Sequence, residues 1–282
     1  MQQKPFGATG VDLPAIGQGT WNMPQSGSAR KEALRALRRG MDLGMTHLDT
    51  AEMYGAGAVE ELLGDAIAGI ARERLFITSK VLPENATYAG TLAAARRSIA
   101  RLRCDYLDLY LLHWPGSHPL EQTMRALEEL VDEGTVRFVG VSNFDTAEML
   151  EAASYLRKVP LACNQVLYHL NERGIEHELT ATAGEHNVAI VAYTPFGRGV
   201  FLRRPEQREA LETIARKYDA TPRQIALAFL TRERNVFAIP KAASVAHVEE
   251  NAGASAISLD AQDVAAIERA FARGRAGPLA TL

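Results

Sequence analysis

The sequence predicts a (β/α)8 TIM barrel with an N-terminal β-hairpin and additional C-terminal helices. Three observations carry that prediction. Short apolar runs, each followed by a segment of helical period, recur eight times, which implies a parallel sheet. The connections are too short for a second domain, and eight units in 282 residues suit a barrel of typical length, about 250 residues. The Gly-x-Gly-x-x-Gly turn of a doubly wound sheet is missing. The first strand ends in Gly17-Gln18-Gly19-Thr20-Trp21, without a third glycine or a following helix. Residues 1–282 therefore read as one barrel domain, with no linker, charged block or low-complexity segment to divide them.

The elements follow in order. Phe6 to Pro14 reads as a hairpin turning at or near Thr9-Gly10. Ile16-Gly17-Gln18-Gly19 is a brief strand. Ser28 to Leu43 is a helix with Ser28 placed to cap it, and Ala33, Leu34, Leu37 and Met41 keep its period. Strand 45–49 leads to helix 57–69, strand 75–80 to helix 87–102, and strand 106–112 to helix 119–132. Strand 136–141 leads to helix 145–156, strand 162–166 to helix 175–186, and strand 188–193 to helices near 206–217 and 221–232. Strand 236–239 precedes helices near 244–251 and 260–271.

Composition narrows the partners. A net charge of -3 leaves no basic footprint, so neither nucleic acid nor an anionic membrane is expected. No apolar stretch approaches the roughly 18–20 residues of a membrane span, and no secretory signal is read at Met1 to Pro5. Cys104 and Cys163 lack metal-ligand spacing and read as two buried thiols in a reduced cytoplasm. A cytoplasmic monomer without metal is expected.

In such barrels the C-terminal strand ends carry function. Asp49 closes Thr46-His47-Leu48-Asp49, Lys80 closes Ile77-Thr78-Ser79-Lys80, and His113 follows Leu109-Tyr110-Leu111-Leu112. Tyr54 lies on the loop just beyond Asp49. A carboxylate beside a buried apolar run needs a partner, and Lys80 on the adjacent strand is placed to be it. Taken alone, the two also read as a structural ion pair. A free phenol has a pKa of about 10, too high for an efficient acid near pH 7, and a neighbouring ammonium lowers it. Lys80 is thus expected to make Tyr54 a usable proton donor, with Asp49 holding Lys80 charged. His113 reads either as a satisfied core residue or as a neutral imidazole orienting a carbonyl oxygen. Together the four suit protonation of a carbonyl oxygen while hydride arrives at its carbon.

Over nearly the whole chain, from the hairpin to about Asn251, the sequence resembles the aldo-keto reductases. Gly44 to Gly55 is similar to the family's first signature, Ile77 to Val81 to its lysine strand, and Leu109 to Pro115 to its histidine strand. The resemblance implies Asp49, Tyr54, Lys80 and His113 as the catalytic tetrad, with Tyr54 the general acid and hydride delivered directly from NADPH, NADH being possible. It puts Ser142, Asn143 and Gln165 on the nicotinamide carboxamide, and the ring of Tyr193 against the nicotinamide. Thr194, Pro195, Phe196 and Gly197 follow in the same segment, where amides near Gly197 suit pyrophosphate oxygens. Gly19, Thr20 and Trp21 match the first-strand segment of the cofactor site. Trp21 and Trp114 are implied to line the substrate mouth beside Tyr54 and His113. The segment from Ile239 to Asn251 resembles the adenosine-phosphate segment, with Lys241 facing the ribose phosphate, Ser244 starting a helix, and Glu250 and Asn251 facing adenine.

Two positions depart from the family pattern. Ala242 stands where serine is frequent, and His247 where an arginine usually grips the 2′-phosphate. Imidazole lacks the fixed charge and fork of guanidinium, which loosens the NADPH preference that Lys241 supports. Short loops after Trp114, Gly199 and Phe271 imply an open mouth lined by Trp21, Met53, Trp114 and Phe196, similar to bacterial reductases of small dicarbonyls and aldehydes. Two other functions use the same residues: a lyase forming a Schiff base on Lys80, and a non-catalytic nicotinamide-binding redox sensor.

Overall fold

Eight of the apolar runs become eight parallel strands, in the computed structural model that describes residues 1–199 and 201–282. The hairpin pairs β1 (Gln3–Pro5) with β2 (Asp12–Pro14) through an αL residue, Gly10. The barrel strands are β3 (Gln18–Gly19), β4 (His47–Asp49), β5 (Phe76–Val81), β6 (Leu107–Leu112), β7 (Val136–Ser142), β8 (Leu161–Leu167), β9 (Ala189–Tyr193) and β10 (Val236–Ala238). Each pairs with its neighbour in sequence, and bridges from Ile16 to Ala238 and from Gly19 to Lys241 close the ring between β10 and β3. Gly140 sits at a register irregularity of β7, where an added Cβ would lie 2.7 Å from the Cys163 carbonyl oxygen and 2.7 Å from Leu111. Only glycine lets the backbone approach that closely.

The helices form the outer layer: α1 (Gly27–Asp42), α2 (Ala58–Ile67), α3 (Tyr88–Leu102), α4 (Leu120–Asp132), α5 (Thr146–Tyr155), α6 (Leu179–Glu185), α7 (Pro205–Lys217), α8 (Pro222–Leu230), α9 (Val245–Gly253) and α10 (Ala261–Ala270). Thr87, Asp145, Thr221, Ser244 and Asp260 cap α3, α5, α8, α9 and α10 through their side chains, as expected of Ser, Thr and Asp at that position. Two expectations fail locally. Ser28 lies inside α1, whose cap position is Ser26. The helix expected over 175–186 is broken into a 3-10 turn (Gly174–His177) and α6. The two are separated by the non-helical Glu178, and the Glu176 carboxylate accepts bonds from Tyr168 and Arg173 and pairs with Arg232 and Arg273, which anchors the turn.

Two apolar cores result. The larger lies between strands and helices, the smaller inside the barrel around Phe6, Leu109, Leu111, Cys163, Val191 and Phe237. The hairpin plugs the N-terminal end. Phe6 packs against the rings of His47, Phe76 and Phe237, and the buried Lys4 ammonium donates to the carbonyls of Thr231, Glu233 and Val236. The barrel is therefore filled at its N-terminal end by the hairpin. Cys163 is buried as expected, but Cys104 is only half-buried.

Candidate active site

The closed register brings the end of β4 beside β5, with Asp49 opposite Thr78 and Lys80 two residues further along, on the same face of the strand. Lys80 is fully buried, and its ammonium donates to Asp49 Oδ1 at 2.7 Å, to the Thr50 carbonyl at 2.8 Å and to Tyr54 Oη at 3.3 Å. Gln165, from β8 across the barrel, donates to the other Asp49 oxygen at 2.7 Å. Every donor of the ammonium and both oxygens of the carboxylate are thus satisfied, as buried charge requires. Tyr54 opens a tight turn (Tyr54–Gly57) in which Gly55 and Gly57 take φ of +58° and +94°. Side chains at those two positions would strain the turn that holds the phenol inward. The His113 ring lies edge-on to Tyr54 at 5.8 Å between centroids and 4.6 Å from Trp114.

Burial decides the protonation states. It opposes charge on Lys80, but Asp49 and Tyr54 outweigh it and hold the ammonium above its ordinary range. Burial raises Asp49, against the pull of Lys80 and Gln165. Burial, then Lys80, pushes His113 down to about 2, so its ring is neutral at all working pH. For Tyr54 the expected direction fails. Burial raises the phenol above its ordinary value, and Lys80 offsets that only in part. Desolvation penalises the phenolate more than one ammonium at 3.3 Å stabilises it.

Tyr54 and His113 open onto a cavity of about 610 Å³, whose wall also includes Asp49, Gly19, Trp21 and Trp114. Ser142, Asn143, Gln165 and Tyr193 line it at the ends of β7, β8 and β9. Tyr193 Oη donates to Asn143 Oδ1 at 2.7 Å, while Asn143 Nδ2 donates to the His113 carbonyl at 3.0 Å. Thr194, Pro195, Phe196 and Lys241 complete the expected lining. Some expected contacts stand back from this wall. Thr20 is buried, its hydroxyl donating to the Asp49 carbonyl, and Gly197 packs toward His169. Ser244 caps α9 beyond Lys241, His247 is exposed on the first turn, the Glu250 carboxylate accepts from Thr221, and Asn251 is buried.

Sequence reading missed Asn22, Arg198, Gly199, Arg223, Ile239 and Leu282, all on the cavity wall. Arg223 occupies the first turn of an amphipathic helix, where a charge ordinarily signals a solvent face. Leu282 adds to the wall of the expected open mouth: it lines the cavity while staying exposed. The loop from Gly199 to Pro205 contains Val200, which lies outside the described residues. Among the described residues no cluster of His, Cys, Asp and Glu could hold a metal, and no helix is long and apolar enough to cross a membrane.

This constellation, on a barrel, defines a carbonyl oxidoreductase. A model of the aldo/keto reductase family matches residues 15–272. Methylglyoxal reductase YeaE of Escherichia coli (strain K12) is 42% identical over 273 residues, 96% of each chain. Glyoxal reductase of Bacillus subtilis (strain 168) is 34% identical, with 95% of this chain and 93% of that one covered. An aldo/keto reductase from Klebsiella pneumoniae, solved in complex with NADP and acetate, superposes with a TM-score of 0.92 at 39% identity over the whole of both chains. The chain belongs to the aldo/keto reductase family.

Proposed function

We propose that this chain reduces small aldehydes, ketones and dicarbonyls to alcohols with NADPH, the proton coming from Tyr54. One observation carries the reading: the Asp49–Lys80–Tyr54 chain of contacts ends at the floor of the cavity, beside a neutral His113. The cavity suits a dinucleotide. Its volume is within the range of cofactor sites, and its wall offers amides at Asn143 and Gln165, an aromatic face at Tyr193 and an ammonium at Lys241. Bound reduced nicotinamide supplies the hydride.

The chain's own residues do the rest. Tyr54 is protonated at neutral pH and lines the cavity, where its hydroxyl can donate to a carbonyl oxygen. As the proton leaves, the oxygen becomes anionic 3.3 Å from the Lys80 ammonium, which stabilises it. Asp49 keeps Lys80 charged and fixed. His113, being neutral, holds the carbonyl oxygen by an N–H without adding a second charge beside Lys80. Trp21, Met53 and Trp114 give the mouth an apolar lining, suited to small carbonyls and poor at distinguishing them. The substrates that name the Escherichia coli and Bacillus subtilis relatives agree with this. A single-domain cytoplasmic monomer completes the reading.

The Schiff-base alternative fares worse, because it needs a free amine and Lys80 is a buried ammonium with all its donors engaged. The test is loss of NADPH absorbance with methylglyoxal, glyoxal and a nitrobenzaldehyde, with NADH in parallel. Turnover of at least one carbonyl is expected. Tight NADPH binding without turnover of any of them would favour the sensor reading instead.

A further inference from the structure

Past the end of β4 the hydrogen bonds to β5 continue, and a side chain supplies their last rung. Phe76 N–H donates to the Thr46 carbonyl at 3.0 Å, Thr50 N–H to the Thr78 carbonyl at 2.9 Å, and Glu52 N–H to the Lys80 carbonyl at 3.3 Å. The alternation of a parallel pair makes the Glu52 carbonyl the next acceptor, with Leu82 N–H as its donor. The chain has already bent by that point. Met53 is in the αR region, and Tyr54 N–H donates to the Ala51 carbonyl at 3.0 Å. Leu82 N–H donates instead to the Glu52 carboxylate, at 2.8 Å to Oε1.

The carboxylate is held firmly in that place. Its side chain is buried, Asn85 Nδ2 donates to the same oxygen at 2.9 Å, and Arg97 of α3 donates to the other at 3.2 Å. A buried carboxylate with both oxygens engaged has little freedom to move. The stretch of β5 that it grips is the one to which the site is registered. Lys80 carries the ammonium, the Val81 carbonyl accepts from His113 N–H at 3.0 Å, and Tyr54 follows Glu52 by two residues. The contacts of Glu52 lie behind the cavity that Met53 and Tyr54 line, so any effect on the chemistry passes through Tyr54.

We infer that Glu52 is a positioning residue for carbonyl reduction: its carboxylate stands in for a backbone carbonyl between the Tyr54 loop and β5, and so sets the separation of Tyr54 Oη from Lys80 Nζ. The inference rests on the reading of this site as a carbonyl reductase with Tyr54 as the acid. The rung does two things at once. It lets the backbone leave the ladder early enough to form the turn Tyr54–Gly57, and it keeps that turn tied to the strand bearing Lys80. Without the rung the phenol moves away from the ammonium that stabilises its oxygen as the proton departs. The cofactor-side residues at the ends of β7, β8 and β9 stay in place, because their strands pair with one another.

The experiment is single-turnover oxidation of bound NADPH by methylglyoxal in wild type, Glu52→Ala, Glu52→Gln, Glu52→Asp, Tyr54→Phe and the double variant Glu52→Ala with Tyr54→Phe. NADPH affinity is measured in parallel, and circular dichroism checks the fold. Displacement of the acid predicts that Glu52→Ala slows hydride loss roughly ten- to a hundredfold while NADPH affinity is unchanged. Glu52→Gln, whose amide oxygen still accepts from Leu82, recovers most of the loss. Glu52→Asp keeps the charge but is too short for the rung, so it is slow, and it carries the test if the alanine variant does not fold. In the Tyr54→Phe background Glu52→Ala has little further effect, because the group it positions is gone. Equal slowing in both backgrounds, with weaker NADPH binding, would mean a general structural role and overturn the inference. A Glu52→Ala rate equal to wild type would overturn it too, as would Glu52→Gln being slow while Glu52→Asp is fast, which would make charge the cause. Wild type that oxidises no NADPH with methylglyoxal would instead overturn the reductase reading, and the role of Glu52 with it.

Discussion

Lys80 is the residue on which the site turns. Replacing it by methionine leaves Asp49 buried without a cation, a change that typically costs about 3–5 kcal/mol. The same change removes the charge that stabilises Tyr54 as its proton departs. Lys80→Met is therefore expected to lower the denaturation midpoint and to reduce turnover with a small aldehyde at least a hundredfold at neutral pH. The pair's pH window follows from its sign. The folded Lys80 pKa lies above its ordinary value of 10.5, so its contribution is fully present at neutral pH and is lost as pH climbs through the raised value. The stability gap between wild type and Lys80→Met should then persist at neutral pH in denaturant titrations, and it widens with pH wherever the unpartnered Asp49, raised by burial, is forced to ionise. A variant as stable and active as wild type would refute the role. At this scale the sequence was informative about which groups meet, because each sits at the end of an apolar run. The direction of the Tyr54 shift was not legible, since it depends on how completely neighbouring chains exclude water, and no local pattern records that.

Among the elements, α9 and the C-terminal tail make distinct predictions. Ser244 caps α9 and leaves His247 exposed on its first turn, beyond Lys241. A guanidinium there would add a fixed, forked charge. His247→Arg is expected to tighten NADPH at pH 8 and to leave NADH unchanged, as read by the dissociation constants. An unaltered NADPH constant would show that this position does not reach the phosphate. The tail after α10 ends with Leu282 in the cavity wall. Removing residues 279–282 should change KM for small carbonyls more than it changes kcat, because the reacting groups stay on β4, β5 and β6. Most strand–helix boundaries were legible from periodicity and caps. The break before α6 was not, because Glu176 at that turn is engaged by Tyr168 and Arg173 and by Arg232 and Arg273 far away in sequence, pairings that a helical period does not record. Nor was the tail's return to the mouth, since an irregular segment carries no periodic signal.

For the molecule as a whole, closure of the barrel is what forces its polar interior to be neutral or paired. Burial drives His47 down to about 3 and His113 to about 2, with Lys80 adding to both, and burial with Arg203 takes His169 to about 4. The folded protein thus binds these protons later than the unfolded chain does. Stability is present above the unfolded histidine pKa of about 6.5 and falls as pH drops below it, by about 1.4 kcal/mol per pH unit for a fully buried histidine. The melting temperature should fall between pH 7.5 and 5.5, above the range where most carboxylates titrate. His47→Phe, whose ring keeps the contacts with Phe6 and Phe76, should show a smaller fall. Equal falls in both proteins would mean that His47 is not the group responsible. The closed ring itself was legible from eight repeats and a missing glycine turn. The plug of Phe6 and Lys4 was not, because a hairpin reads the same whether it packs or hangs free.

The most direct test of the proposed chemistry is single-turnover oxidation of bound NADPH by methylglyoxal, followed by absorbance, in wild type and Tyr54→Phe. The ring and the cavity persist in the variant, and only the proton donor is lost. Unchanged NADPH affinity is expected, with a rate constant for hydride loss about 10²- to 10⁴-fold lower. A variant retaining more than a third of the wild-type rate would contradict it.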